Sequence, residues 1–190
     1  MNTPNMSLYE NYQAQYAAKL VGVDEALSHI RDGDVIGAGA AANEPTRLLE
    51  RLSSLNGRVH GLKYYSGLGM RDYPFLSDPA CKESFNVDCV FMMGPGRASH
   101  RKGLSSVYPA QLHNGAARWM EHNPVNVFLV AATPMDRHGY FRMSMCLIHE
   151  REMLEQADLV IVEVTPDMPV ICGDTEIHIS QVDYIVEGDG

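Results

Sequence analysis

Apolar positions fall in short runs that break repeatedly into glycine, and the runs alternate between a helical and an extended spacing. Residues 8–20 read as an opening helix, and Asp24 is placed to cap a second one running to about residue 30. The turn Arg31-Asp32-Gly33-Asp34 leads into a short strand at 35–39, followed by the small residues Gly39-Ala40-Ala41-Ala42. Asn43 is a good N-cap and Pro45 suits a first helical turn, so a helix is predicted to about residue 55 with Leu48, Leu49 and Leu52 on one face. Strands at 59–65 and 85–92 come next. The first opens into Ser66-Gly67-Leu68-Gly69, the second into Gly94 and Gly96. A helix over 111–121 precedes an apolar strand at 125–132, and Asp136-Arg137-His138-Gly139 predicts a hairpin turn into a strand at 140–145. A helix over 147–156, a strand at 158–164 and a strand start at 182–186 complete the series, and Glu187-Gly188-Asp189-Gly190 reads as a linker.

Helices alternating with strands that are apolar on both faces define an α/β fold: an open, mainly parallel sheet flanked by helices. The expected hairpin makes the sheet mixed. The 190 residues fit one domain, without repeats or low-complexity segments, and the linker-like end marks it as the first half of something longer.

Composition narrows the function classes. The apolar share of 45% and charged share of 21% are globular values that disfavour disorder. A net charge of −9 and the lack of any run of four basic residues make nucleic acid and anionic membranes poor partners. Apolar stretches such as 127–133 fall far short of a bilayer span, and the first 30 residues lack a signal-peptide pattern, so a cytoplasmic protein is expected. Cys81, Cys89, Cys146 and Cys172 form no CxxC pair, and three of them sit in apolar stretches, as buried free thiols would. His149-Glu150 is not followed by the spacing of a helical zinc motif, and no metal site is expected.

Candidate chemistry lies in the glycine loops. Gly37-Ala38-Gly39-Ala40-Ala41-Ala42 formally matches a dinucleotide fingerprint, but no acidic residue stands about 20 positions on and the helix begins too late, so dinucleotide binding is disfavoured. The segments 39–43, 66–69 and 94–96 each follow a strand. Glycines there either make tight turns or let backbone amides approach a ligand, and three on one sheet edge favour a ligand cleft. Arg97 follows the third segment and is either a surface arginine or a bidentate anion ligand. Glu163, inside Leu159-Val160-Ile161-Val162-Glu163-Val164, shares a strand face with Ile161 and Leu159. It must be compensated there by a cation, Arg97 among the candidates, or by helix N-terminal amides, and the expectation is a paired structural carboxylate rather than a nucleophile. His138 is read as a solvated turn residue and Met92-Met93 as core filler. No GxSxG elbow occurs.

Taken together, several blocks resemble the acetyl-CoA hydrolase/transferase family, which includes 4-hydroxybutyrate and butyrate:acetate CoA-transferases. They are Tyr16-Ala17-Ala18-Lys19-Leu20, Asp24-Glu25-Ala26, Gly37 through Asn43-Glu44-Pro45, and Met93-Gly94-Pro95-Gly96-Arg97. More specific are Thr133-Pro134-Met135-Asp136-Arg137-His138-Gly139-Tyr140, Glu163-Val164 with Met168-Pro169, and Gly173-Asp174, Ile177-His178 and Asp183-Tyr184-Ile185-Val186. The resemblance implies the first of two tandem CoA-transferase-type domains, with the active site between them. A nucleophilic glutamate would stand in the second, so no catalytic residue is expected in this chain. It further implies a substrate surface at Gly39, Ala40, Asn43, Glu44, Pro45, Ser66 and Gly67, to which Gly94, Gly96 and Arg97 add the third segment. The implied partners are an acyl-CoA, a small carboxylic acid, the second domain and further copies of the protein, with a coenzyme A thioester as substrate and no permanently bound cofactor. Many relatives carry a histidine where this chain has Ala40, which leaves the acid used open. A hydrolase of the same family and a non-catalytic sensor of a small acidic metabolite are the alternatives.

Overall fold

A computed structural model describes residues 8–188. In chain order its elements are α1 (Leu8–Lys19), α2 (Val23–Leu27), β1 (Val35–Ala38), α3 (Thr46–Arg51), β2 (Leu62–Ser66), α4 (Pro74–Ser77), β3 (Phe85–Cys89) and α5 (Gly94–Arg101). Then follow β4 (Ser105–Val107), α6 (Gly115–Met120), β5 (Val127–Ala132), β6 (Tyr140–Arg142), α7 (Glu150–Gln156), β7 (Leu159–Val164), β8 (Glu176–His178) and β9 (Tyr184–Glu187).

Seven strands form one sheet in the order β4-β3-β2-β1-β5-β7-β9, and every pairing in it is parallel. The chain starts at the centre, moves outward through β4, then returns to the other side of β1 and moves outward again through β9. The order therefore reverses between β1 and β5, where an open α/β sheet leaves a crevice beyond its carboxyl ends. Because all seven strands point the same way, the segments after β1, β2 and β3 share that edge, as expected.

Both faces are covered, which is why β5, Val-Phe-Leu-Val-Ala-Ala, is buried along its whole length. Leu27, Leu48, Leu49, Leu52 and Phe75 pack over Ile36, Tyr64, Val87, Leu129 and Ile161 on one face. Trp119, Met153, Phe141 and Ile177 pack over Phe128, Val130, Val160, Val162 and Ile185 on the other.

The antiparallel pairing lies outside the main sheet. The chain does turn at 136–139, where Gly139 has φ +83° and donates to the Asp136 carbonyl at 3.1 Å. Yet β6 pairs with β8 as a separate two-stranded ribbon, because β5 already has β1 on one side and β7 on the other. The segment 94–96 is likewise the first turn of α5 rather than a loop. Pro95 is tolerated there, and a Cβ on Gly96 would stand 3.3 Å from Cys89 Sγ, so glycine lets the helix sit close on β3. The helix expected over 43–55 is an α-helical turn, α3, between two 3₁₀ segments, Ala41–Asn43 and Leu52–Leu55, with Pro45 at the N-cap. Of the linker expected at 187–190, Glu187 ends β9 and the amide of Gly188 donates to the Val164 carbonyl, while residues 189 and 190 lie outside the described residues. All four cysteines are free thiols; three are buried and Cys172 is exposed.

Glu163 is 1% exposed, and its carboxylate caps α3, accepting from the backbone amides of Arg47 at 3.2 Å and Leu48 at 2.9 Å. Helix N-terminal amides thus compensate the charge, while Arg97 is engaged elsewhere, donating to the Met92 carbonyl. Replacing Glu163 with Gln turns a two-oxygen acceptor into a group whose NH₂ faces a backbone donor. The expected cost is about 1–3 kcal/mol, read as a lower denaturant midpoint at unchanged m-value. An unshifted midpoint contradicts this role.

Candidate functional site

The crevice between β1 and β5 is walled by the segment after β1, and this wall is built from inside. A Cβ on Gly39 would stand 2.3 Å from the Asn43 carbonyl oxygen, so only glycine lets the chain close on itself there. The Gly39 amide donates to Leu129, Ala40 to Glu150 Oε1 at 2.9 Å, Ala41 to Leu68, Asn43 to Ala40 and Glu44 to Ala41. Ala41 is held at φ +48°, a left-handed conformation unusual for a residue with a side chain. Asn43 is fully buried; its Oδ1 accepts from the Ser144 amide at 3.2 Å and its Nδ2 donates to the Cys146 carbonyl. These donors are spent within the fold. The free amides lie in the neighbouring segment instead: those of Gly67, Leu68 and Gly69 donate to no protein acceptor among the described residues.

Two residues that sequence reasoning weighed only against a zinc motif complete the wall. Glu150, wholly buried at the start of α7, accepts from Ala40 through Oε1 and from the amides of Ile148 (2.6 Å) and His149 (2.9 Å) through Oε2. His149 is 3% exposed, and its ring stands edge-on to Tyr65 at 4.9 Å between centroids. A Cβ on Gly67 would lie 2.5 Å from its Cε1, which gives this glycine a packing reason. Beside them is a cavity of about 240 Å³, with Tyr65, Gly67, Leu68, Val90, Phe91 and His149 among its walls. Beyond the zinc motif it fails to complete, the sequence shows this pair only as the cap and first residue of a helix, an ordinary pattern.

Glu44 couples the segments after β1 and β2. It is 6% exposed, and its carboxylate accepts from the Met70 amide at 3.1 Å and from the Tyr73 hydroxyl at 3.3 Å. Burial pushes its pKa up to about 7, outweighing those two hydrogen bonds and the charge of Arg71. Burial foremost, with the Glu44 charge beside them, also raises the phenols of Tyr64 and Tyr73.

The remaining expected residues lie on the same edge. Pro45 is buried behind Glu44, and Ser66 is buried at the end of β2. Gly94 opens α5 with free space where a Cβ would stand, while Gly96 faces Cys89. Arg97 is exposed one turn further on. No thiol here is poised as a nucleophile: burial raises Cys89, and burial with nearby Glu150 pushes Cys146 up to about 11. Among the described residues no group of three His, Cys, Asp or Glu side chains is placed to share a metal ion. Large apolar side chains crown this edge in the open, including Met70, Phe91, Leu112, Met145, Leu147 and Val170. Among the described residues no helix is long and apolar enough to cross a membrane.

Among the described residues the arrangement therefore offers free amides, an apolar cavity and buried polar groups, but no activated base–nucleophile pair. The family model for the acetyl-CoA hydrolase/transferase N-terminal domain matches residues 4–190. A butyryl-CoA:acetate CoA-transferase from Anaerostipes caccae is 30% identical over 94% of this chain and 41% of its own length. A succinyl-CoA:cyclohexane-1-carboxylate CoA transferase from Geobacter metallireducens is 28% identical over 94% of this chain and 40% of its own. The crystal structure of RipA from Yersinia pestis superposes with a TM-score of 0.88 at 27% identity, covering 95% of this chain and 44% of that one. The chain thus spans about two fifths of the length of the curated relatives it matches.

The raised pKa of Glu44 makes stability depend on pH in a set direction. Its folded value of about 7 lies above the ordinary glutamate value of 4.5, so its contribution is fully present below about pH 4.5 and is lost as pH rises through 7. Glu44→Gln is expected to flatten that decline and to be the more stable protein at pH 8, by on the order of 2 kcal/mol. Denaturant unfolding of both proteins at pH 5 and pH 8 checks this. Equal pH dependence in the two contradicts it.

Proposed function

The chain belongs to the acetyl-CoA hydrolase/transferase N-terminal domain family, and from that premise we propose that it is the N-terminal half of a CoA-transferase moving CoA between an acyl-CoA and a small carboxylic acid. The observation that carries this reading is a binding edge with free amides and an apolar cavity but no activated nucleophile. The exposed apolar side chains around it, Phe91 and Leu112 among them, support a second domain as its cover, since exposed apolar surface marks an interaction site.

In this reading a glutamate of the second half attacks the thioester carbonyl, expelling CoA thiolate and leaving a mixed anhydride. The thiolate then attacks the glutamyl carbonyl, releasing the first carboxylate and forming a glutamyl-CoA thioester. The second acid attacks that thioester and reverses the sequence, so that it leaves as the new acyl-CoA and the glutamate is restored. This chain contributes shape and charge stabilisation. The amides of Gly67, Leu68 and Gly69 supply donors for the developing oxyanion, beside Gly39, Ala40 and Ser66 at the crevice wall. Asn43, Glu44 and Pro45 act mainly by holding that wall, and Arg97 with the first turn of α5, Gly94 and Gly96, offers a positive rim for an anionic part of the substrate.

The full-length protein mixed with butyryl-CoA is expected to gain the mass of one CoA less water, as a hydroxylamine-sensitive adduct. The 190-residue chain alone gains none and transfers no CoA to acetate. Transfer by the isolated chain, or an adduct-free full-length protein that does not turn over, refutes the proposal. Release of CoA without transfer to acetate identifies a hydrolase instead.

A further inference from the structure

Glu44 stands behind the free amides of the segment after β2, and its carboxylate ties that segment to the crevice wall. We infer that Glu44 is a positioning residue that couples substrate binding to a proton: it holds residues 66–70 so that their free amides receive a carboxylate, and it takes up a proton when that anion binds, a role that rests on the CoA-transferase reading above.

The geometry sets both parts of the role. Oε1 accepts from the Met70 amide at 3.1 Å and lies 3.7 Å from where a Cβ on Gly69 would stand, and Oε2 accepts from the Tyr73 hydroxyl at 3.3 Å. One main-chain bond runs alongside, from the Ala41 amide to the Leu68 carbonyl at 3.0 Å. Around these anchors the amides of Gly67, Leu68 and Gly69 donate to no protein acceptor among the described residues. An oxygen hydrogen-bonded to the Gly69 amide would stand about 10 Å or less from Oε1. At that range, near a protein surface, two negative charges oppose each other by roughly tenfold or more in affinity. A carboxylate on these amides and an ionised Glu44 therefore compete.

The proton removes the charge and leaves the joint intact. Ionised, Glu44 accepts at both oxygens. Protonated, Oε1 still accepts from Met70 while the other oxygen donates its proton to Tyr73, because a phenol hydroxyl serves either way. The groups that face this carboxyl are Arg71 and Tyr73 from the segment after β2 and Tyr64 from β2, with Cys89 of β3 behind Tyr64 and Glu163 of β7 beyond Tyr73. Arg71 is the cation among them; it is exposed, and burial of Glu44 outweighs it, so the carboxyl titrates at about 7. A substrate acid such as acetate stays ionised above pH 6, so the proton goes to Glu44.

The test measures kcat/KM for acetate, with butyryl-CoA as donor, at pH 6 and pH 8 in the full-length protein. The wild type, Glu44→Gln and Glu44→Ala are compared, each checked for folding by its melting curve. Glutamine copies the protonated acid, with an oxygen for Met70 and an NH₂ for Tyr73. Relative to Glu44→Gln, the wild type should lose about five- to tenfold between the two pH values, as a group titrating at about 7 ionises. Glu44→Ala cuts both links and should fall about fivefold or more below Glu44→Gln at both pH values. Parallel decline of the wild type and Glu44→Gln overturns the proton coupling, and Glu44→Ala as active as Glu44→Gln overturns the positioning role; both results leave the CoA-transferase reading standing. A wild type that transfers no CoA to acetate at either pH defeats that reading first, and the role of Glu44 falls with it. Should the variants not fold, the carboxyl carbon-13 resonance of Glu44 in the wild type decides. Its titration midpoint rises with saturating acetate, and not with equal chloride, if the coupling exists; a midpoint that acetate leaves in place overturns it.

Discussion

One buried carboxylate, Glu150, joins the two sides of the crevice. Its oxygens collect the amide of Ala40 from the segment after β1 and the amides of Ile148 and His149 from the segment before α7. All three donors would otherwise be stranded in the interior, each at about 1–3 kcal/mol. Asn43 repeats the link a few residues on, with one bond to Ser144 and one to Cys146. Glu44 carries it sideways, through Met70 and Tyr73, to the segment after β2. Three stretches without regular secondary structure are thereby fixed relative to one another, and the cavity and the free amides of 67–69 take their positions from them.

The three carboxylates differ in what surrounds them. Glu163 and Glu150 face clusters of backbone donors, the arrangement that lets a charge stay buried. Glu44 meets one backbone amide and one phenol, and its burial outweighs both, so its affinity for a proton rises. The Cys89 and Cys146 thiols are pushed upward as well, so neither is an activated nucleophile.

Much of the fold was legible because burial on both faces leaves a mark on sequence. β5 and β7 read as apolar throughout, and Glu163 stood out as the one charge inside β7. The edge strand β4, Ser-Ser-Val, left no such mark, and Gly-Pro-Gly-Arg at the start of α5 reads as a loop until Cys89 is seen beneath Gly96. The turn at 136–139 was legible but its pairing was not, since which strand β6 meets depends on β5 having no free side. In the site, the expected residues gather on one edge, while the reasons for several glycines are tertiary. Gly39 answers the Asn43 carbonyl and Gly67 the His149 ring, contacts that no local spacing encodes. Glu150 and His149 were weighed only as a zinc motif for the same reason: a polar pair opening a helix looks like any cap until its partners across the crevice are known.

The most direct test of this account is site-resolved amide hydrogen exchange in the wild type and Glu150→Gln. A glutamine keeps one acceptor oxygen and turns a donor toward the other side, so one or both of the joined segments must lose their anchor. The account predicts faster exchange at Ala40, at His149 or at both, with the loss spreading through 39–45 and 146–149 while β5 and β7 keep their protection. Unchanged exchange in those segments, or a uniform loss across the whole sheet, would contradict the claim that this carboxylate holds the site together.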